Sequence, residues 1–189
     1  MANRSLALVP RHRAVLGGAT PNTAIRSPIA AIRAGAAEEV PAILQSYRAA
    51  FAQLENGFSL FEQVTPGYQA HSIEHLGLLT MILQEALLQS VSPRPGEPEV
   101  IRVFPACPPQ WNASFRLLAR GGFLVSSEVK KGRVQFVEIE SRLGEECRLR
   151  NPWEAPCLLT EAGGSSRQIA GEFLRFPTQT GKRYRLHSD

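Results

Sequence analysis

The sequence predicts an α+β protein, with a helical amino-terminal part followed by an antiparallel β-sandwich. Three observations predict it. Apolar residues between Ala34 and Ser90 recur at steps of three and four, one face of a helix. Apolar residues from Ile101 to Trp153 alternate at period two, as in half-buried strands. Between these regions lies VSPRPGEP, Val91 to Pro98, with three prolines and one glycine in eight residues, through which no helix continues.

The bulk composition suits a folded domain. A chain of 189 residues buries about 70% of its unfolded surface, enough for a core without staples. Apolar residues make up 43% and charged residues 20%. Net charge is +4, but the Arg and Lys of the β-region are interleaved with Glu. So no long basic stripe forms and no clustering of cations is expected, and nucleic acid is not an expected partner. No run of 18 apolar residues exists, and no membrane span is expected.

No acidic residue precedes Glu38, while Arg4, Arg11, Arg13, Arg26 and Arg33 lie among Ala, Leu, Val and Pro. Residues 1–33 therefore read as a leader: a targeting peptide, a poorly ordered start, or the beginning of a gene fragment. Ser27-Pro28 marks a helix start, since serine caps the first turn and proline fits inside it.

The helical segment covers residues 34–95. Val40, Ile43, Leu44, Tyr47, Phe51 and Leu54 share one face, with Glu38 and Glu39 at the start, where the macrodipole favours acids. Asn56-Gly57 reads as its stop, and Thr65-Pro66-Gly67 as loop. A second helix is expected from about His71 to Ser90. Ile73, Leu76, Thr80, Leu83 and Leu87 mark one face, but Leu78, Leu79, Met81, Ile82, Ala86 and Leu88 cover much of the rest. Such a helix needs partners on several sides.

His71-Ser72-Ile73-Glu74-His75 is an H-x-x-E-H pattern. On one helix, imidazoles four residues apart grip a zinc ion, and the carboxylate beside them serves as general base. A zinc peptidase is one reading, with Glu145, Glu146 or Glu154 as the third ligand. The other is a polar first turn whose His and Glu satisfy loop amides and carbonyls.

Residues 96–189 read as the sandwich. Strands are expected at Val100 to Phe104, Ala113 to Leu118, Phe123 to Val129 and from Val134, with more at Cys147 to Leu149, Pro156 to Leu159, Gln168 to Phe176 and Arg183 to His187. Lys130-Lys131-Gly132 is a tight hairpin connection. The phase slips between Phe136 and Val137, which fits either a bulge or a strand apolar on both faces. Trp111 and Trp153 either pack in the core or stack on sugar rings. Cys107, Cys147 and Cys157 lack zinc-knuckle spacing and read as half-buried thiols in a reducing, cytoplasm-like compartment, with one disulfide plus a free thiol as the alternative. No cofactor is expected.

Three phrases in order carry a family likeness: Glu85 to Ser90 (EALLQS), Ile101 to Pro108 (IRVFPACP) and Leu118 to Val125 (LARGGFLV). With Cys147 to Trp153 (CRLRNPW), they resemble the carboxy-terminal end of glycoside hydrolase family 95, the α-L-fucosidases and their relatives. The resemblance implies the last helices of an (α/α)6 toroid followed by a β-sandwich, in a truncated protein. It implies inverting hydrolysis with a glutamic general acid, which would lie upstream of this chain. The family's water-positioning aspartate falls near Glu74, so Glu74 is the candidate catalytic carboxylate, with His71 and His75 beside it as candidate substrate ligands. The asparagine and phenylalanine that follow the aspartate in the family are absent here. The expected function is a remnant glycoside hydrolase, inactive alone. Its expected partner is a carbohydrate, or a second polypeptide covering the exposed helical face and completing the barrel.

Overall fold

The computed structural model describes residues 27–51, 59–62, 69–72 and 74–188. The expected leader before Ser27, the Asn56-Gly57 stop and the Thr65-Pro66-Gly67 loop lie outside the described residues. The chain forms two compact units, residues 1–86 and 87–189. Together they make an α+β protein.

The first unit contains α1 (Ser27–Arg33), a 3-10 turn (Ala37–Glu39), α2 (Val40–Phe51), strands β1 (Ser59–Glu62) and β2 (Gln69–Ser72), and α3 (Glu74–Leu87). Ser27-Pro28 opens α1 as expected. Val40 and Ile43 of α2 are fully buried, in keeping with the three-four spacing. Arg33 and Glu85 form a bidentate ion pair at 2.6 and 3.0 Å, which ties α1 to α3.

Two expectations change in this unit. Residues 69–72 form no part of a helix; they pair antiparallel with residues 59–62. The following helix is also more one-sided than its composition suggests. Ile82 and Ala86 are buried, whereas Met81 and Leu83 are exposed, so the buried stripe is shifted from the expected one through Leu83.

The second unit is a sandwich of ten strands in two sheets among the described residues. The strands are β3 (Leu88–Val91), β4 (Val100–Val103), β5 (Ala113–Ala119), β6 (Phe123–Lys130), β7 (Arg133–Ser141), β8 (Cys147–Arg150), β9 (Cys157–Glu161), β10 (Ser166–Ile169), β11 (Phe173–Phe176) and β12 (Arg183–His187). One sheet has the order β10-β9-β12-β7-β6-β5, and the other β11-β8-β4-β3. All neighbours run antiparallel except β4 and β8, which are parallel.

The strand β3 corrects the expected helix end at Ser90. Leu88 to Val91 pair with Val103 to Val100, so the helix stops at Leu87. The proline-rich stretch is therefore the connection of a hairpin inside the sandwich, and the second compact unit begins at Leu87. The expected strand from Gln168 to Phe176 is in fact two. β10 edges the larger sheet, β11 edges the smaller, and residues 170–172 cross between them.

Local chemistry explains the remaining geometry. Lys131 and Gly132 both have positive φ, 49° and 72°, the two-residue turn whose twist matches its flanking strands. The phase slip is a bulge at Gln135, because Glu128 pairs with Phe136 while Val129 pairs with Val134. Gly122 turns β5 into β6 at φ 72°, and a Cβ there would lie 2.6 Å from Leu143 Cγ. Phe104 follows β4 at φ 52°, a conformation that costs a bulky residue about 1 kcal/mol or more. Its ring is held edge-on to Phe115 at 5.1 Å.

The core lies between the sheets. Phe123, Val125, Val137, Ile139 and Leu186 from one face meet Ile101, Val103, Leu149, Leu174 and Phe176 from the other. The Ser141 and Thr178 hydroxyls, both buried, bond each other at 2.7 Å, so neither lacks a partner.

Candidate functional site

The expected catalytic group does not lie on one helix. His71 sits in β2, opposite Leu60, whereas Glu74 is the first residue of α3 and His75 the second. The single-helix spacing on which the zinc reading rests is thus absent at His71. Glu145 and Glu146, offered as a third ligand, are exposed in the sandwich, and Glu146 is held by Arg148 at 2.7 Å. Among the described residues, no group of three His, Cys, Asp or Glu side chains is placed to hold a metal ion. Glu74 keeps one feature that suits a carboxylate: a helix N-terminus favours negative charge.

The cysteines are free thiols. Cys147 is buried, and burial, aided by the neighbouring Glu146, pushes its thiol far above the ordinary value. Burial also raises Cys107 and Cys157. A raised pKa keeps a thiol protonated and unreactive, so these side chains are packing groups.

Trp153 is also structural. Its ring packs against the core, and its indole N–H donates to Val134 O at 2.8 Å. What Trp153 anchors is more informative. Asn151 is buried, and its Nδ2 donates to Ala155 O at 2.8 Å and to Gly171 O at 3.1 Å. Its Oδ1 accepts from Trp153 N at 3.1 Å. Three hydrogen bonds on one side chain fix the loop of residues 151–156, where Glu154 adopts φ 56°. This loop and residues 170–172 frame a cavity of about 440 Å³, into which Arg150, Glu154 and Glu172 bring charge.

The two outer faces of the sandwich differ in charge. On the larger sheet, outward cations meet anions across strands. Glu140 lies 3.3 Å from Arg116 and 3.4 Å from Arg183, and Glu138 lies 3.6 Å from Arg185. Arg185 also covers the Phe136 ring at 4.2 Å. The smaller sheet is different. Ile101, Val103, Cys147, Leu149, Leu174 and Phe176 face the core. Strand alternation then turns Arg102, Arg148, Arg150 and Arg175 to the opposite face. Arg148 is directly opposite Arg175, and Arg150 is opposite Phe173. The parallel register, Ile101 beside Leu149, sets Arg102 next to Arg150. Burial and the Arg150 charge both lower the Arg102 pKa. Of the four, only Arg148 has an ion pair among the described residues.

The expectation that the cations of the β-region do not cluster is therefore not met on this sheet. These arginines lie on three strands, and only the register brings them together. The signal present in the sequence was the R-x-R of Arg148 and Arg150, which places two cations on one face of a strand.

Comparison with known proteins assigns the second unit. The family described as glycoside hydrolase family 95, C-terminal domain, matches residues 96–186. No curated protein matches the chain. The matched span runs from just before β4 into β12 and takes in the larger sheet up to Leu186. Residues 96–186 thus match the C-terminal domain of glycoside hydrolase family 95, and the likeness is to that domain.

Proposed function

We propose that this chain supplies the carboxy-terminal sandwich of an α-L-fucosidase-like hydrolase, and that it does not cleave glycosides by itself. The observation that carries this reading is the coincidence of the family match, residues 96–186, with a self-contained β-unit. Inverting hydrolysis needs two carboxyls about 6.5–9.5 Å apart across a cleft, one of them protonated. The sandwich holds many of its carboxylates against cations instead. Glu99 is an example: hydrogen bonding to its own backbone amide, then to Arg120, lowers its pKa. That is the opposite of what a general acid requires.

In this reading Glu74, at the start of α3, takes the place of the family's water-positioning carboxylate, with His71 and His75 near it in sequence as substrate ligands. The general acid comes from elsewhere in a complete active site. The test is turnover of an aryl α-L-fucoside by the purified chain. The expected rate is that of buffer; robust turnover overturns the reading, and robust turnover that Glu74→Gln leaves unchanged overturns the role of Glu74 as well.

A second reading rests on Met81 and Leu83, which are 40% and 37% exposed on α3. These side chains suit a second polypeptide that completes a helical barrel. Light scattering on the eluting chain checks this: self-association or an expressed partner that Met81→Lys abolishes supports it, and a monomer indifferent to that change opposes it.

A further inference from the structure

We propose that the outer face of the β11-β8-β4 strands, with the adjoining cavity, is a binding site for an acidic oligosaccharide, one whose sugars carry carboxylates. The inference rests on the carbohydrate reading above and goes beyond it in locating a site on the sandwich and naming the ligand class.

Charge carries the argument. Like charges directly opposite on neighbouring strands are destabilising. This face has Arg148 opposite Arg175, and Arg102 beside Arg150. The Arg102 Nε–H is buried and meets no acceptor among the described residues. Arg150 and Arg175 are exposed, and neither guanidinium has an anionic partner among the described residues. On the other sheet Glu138 and Glu140 lie beside Arg116, Arg183 and Arg185, whereas the outer face of β11, β8 and β4 offers Arg102, Arg150 and Arg175 no such carboxylate among the described residues. An external carboxylate would relieve the Arg102–Arg150 repulsion and take the forked donors of a guanidinium in matched geometry.

The cavity beside Arg150 distinguishes a sugar from a bare anion. Its volume, about 440 Å³, lies within the range of small-molecule sites. Glu154 and Glu172 line it with Arg150. Two carboxylates would repel a phosphate chain, but they accept hydrogen bonds from hydroxyl groups. A ligand with hydroxyls and a carboxylate on one ring satisfies both sets. The loop that supplies Glu154 is already fixed by Asn151, so little ordering remains on binding. Phe173, opposite Arg150, adds a half-buried aromatic surface for a second sugar.

The test titrates the full chain calorimetrically at low salt with trigalacturonate, its methyl ester, polyglutamate and a single-stranded oligonucleotide. Trigalacturonate is expected to bind, to weaken with added salt, and to lose at least tenfold in affinity in Arg150→Gln and in Arg175→Gln. Both positions are exposed, and circular dichroism confirms that the variants fold. Arg116→Gln, on the other sheet, is expected to bind as the parent does. Equal binding of the neutral ester overturns the acidic-sugar site while leaving the carbohydrate reading in place. Binding of polyglutamate or the oligonucleotide in preference to trigalacturonate, or no binding of trigalacturonate, also overturns it. The hydrolase reading is decided separately, by fucoside turnover.

Discussion

Asn151 shows how one side chain builds the candidate site. It spans three backbone groups, Ala155 O, Gly171 O and Trp153 N, and is itself buried. Each such bond is worth about 1 kcal/mol net, and more when its loss strands a buried group. Asn151→Ala is expected to cost about 2–3 kcal/mol in urea denaturation and to loosen residues 151–156 in hydrogen exchange. Cys147 gives a second prediction at this scale. Burial first, then Glu146, holds its folded pKa above the ordinary 9.0, so the fold favours the neutral thiol. Its contribution is whole below about pH 9 and is lost as pH rises beyond it, at up to about 1.4 kcal/mol per pH unit. The stability lost between pH 8 and 10 is expected to be smaller in Cys147→Ala than in the parent; equal losses would contradict the assignment.

Elements separate what was legible in the sequence from what was not. The Lys131-Gly132 turn, the slip now seen as a bulge at Gln135, and strands β5 to β8 are local events, and alternation or turn chemistry announces them. Strand β3 is not local. Leu88 to Val91 continue an apolar helical run, and only pairing with Val100 to Val103, across the proline-rich turn, makes them extended. The same holds for His71, which four-residue spacing places on a helix and pairing with Leu60 places in a strand. The parallel contact of β4 with β8 has no sequence signature, and the arginine face depends on it. Cross-strand charges on the larger sheet are exposed and weak. Glu140→Ala breaks the contacts with Arg116 and Arg183, yet is expected to cost less than about 1 kcal/mol, with most of that gone at high salt. A larger cost in thermal unfolding would mean that the ladder carries structure as well as charge.

At the scale of the whole molecule, the family match and the proposed catalytic carboxylate fall in different units. The sandwich has its own core and its own boundary at Leu87, and the family match lies within it. The residues that bear a likeness to catalytic machinery, led by Glu74, lie in the other unit. Residues 101–153 carry the likeness to the family but no proposed catalytic group, because core patterning identifies a domain whereas function lies in sites built upon it. The most direct test is fucoside hydrolysis by the purified chain, measured beside buffer and beside Glu74→Gln. All three rates are expected to coincide; sustained turnover by the chain well above buffer would contradict the proposed function.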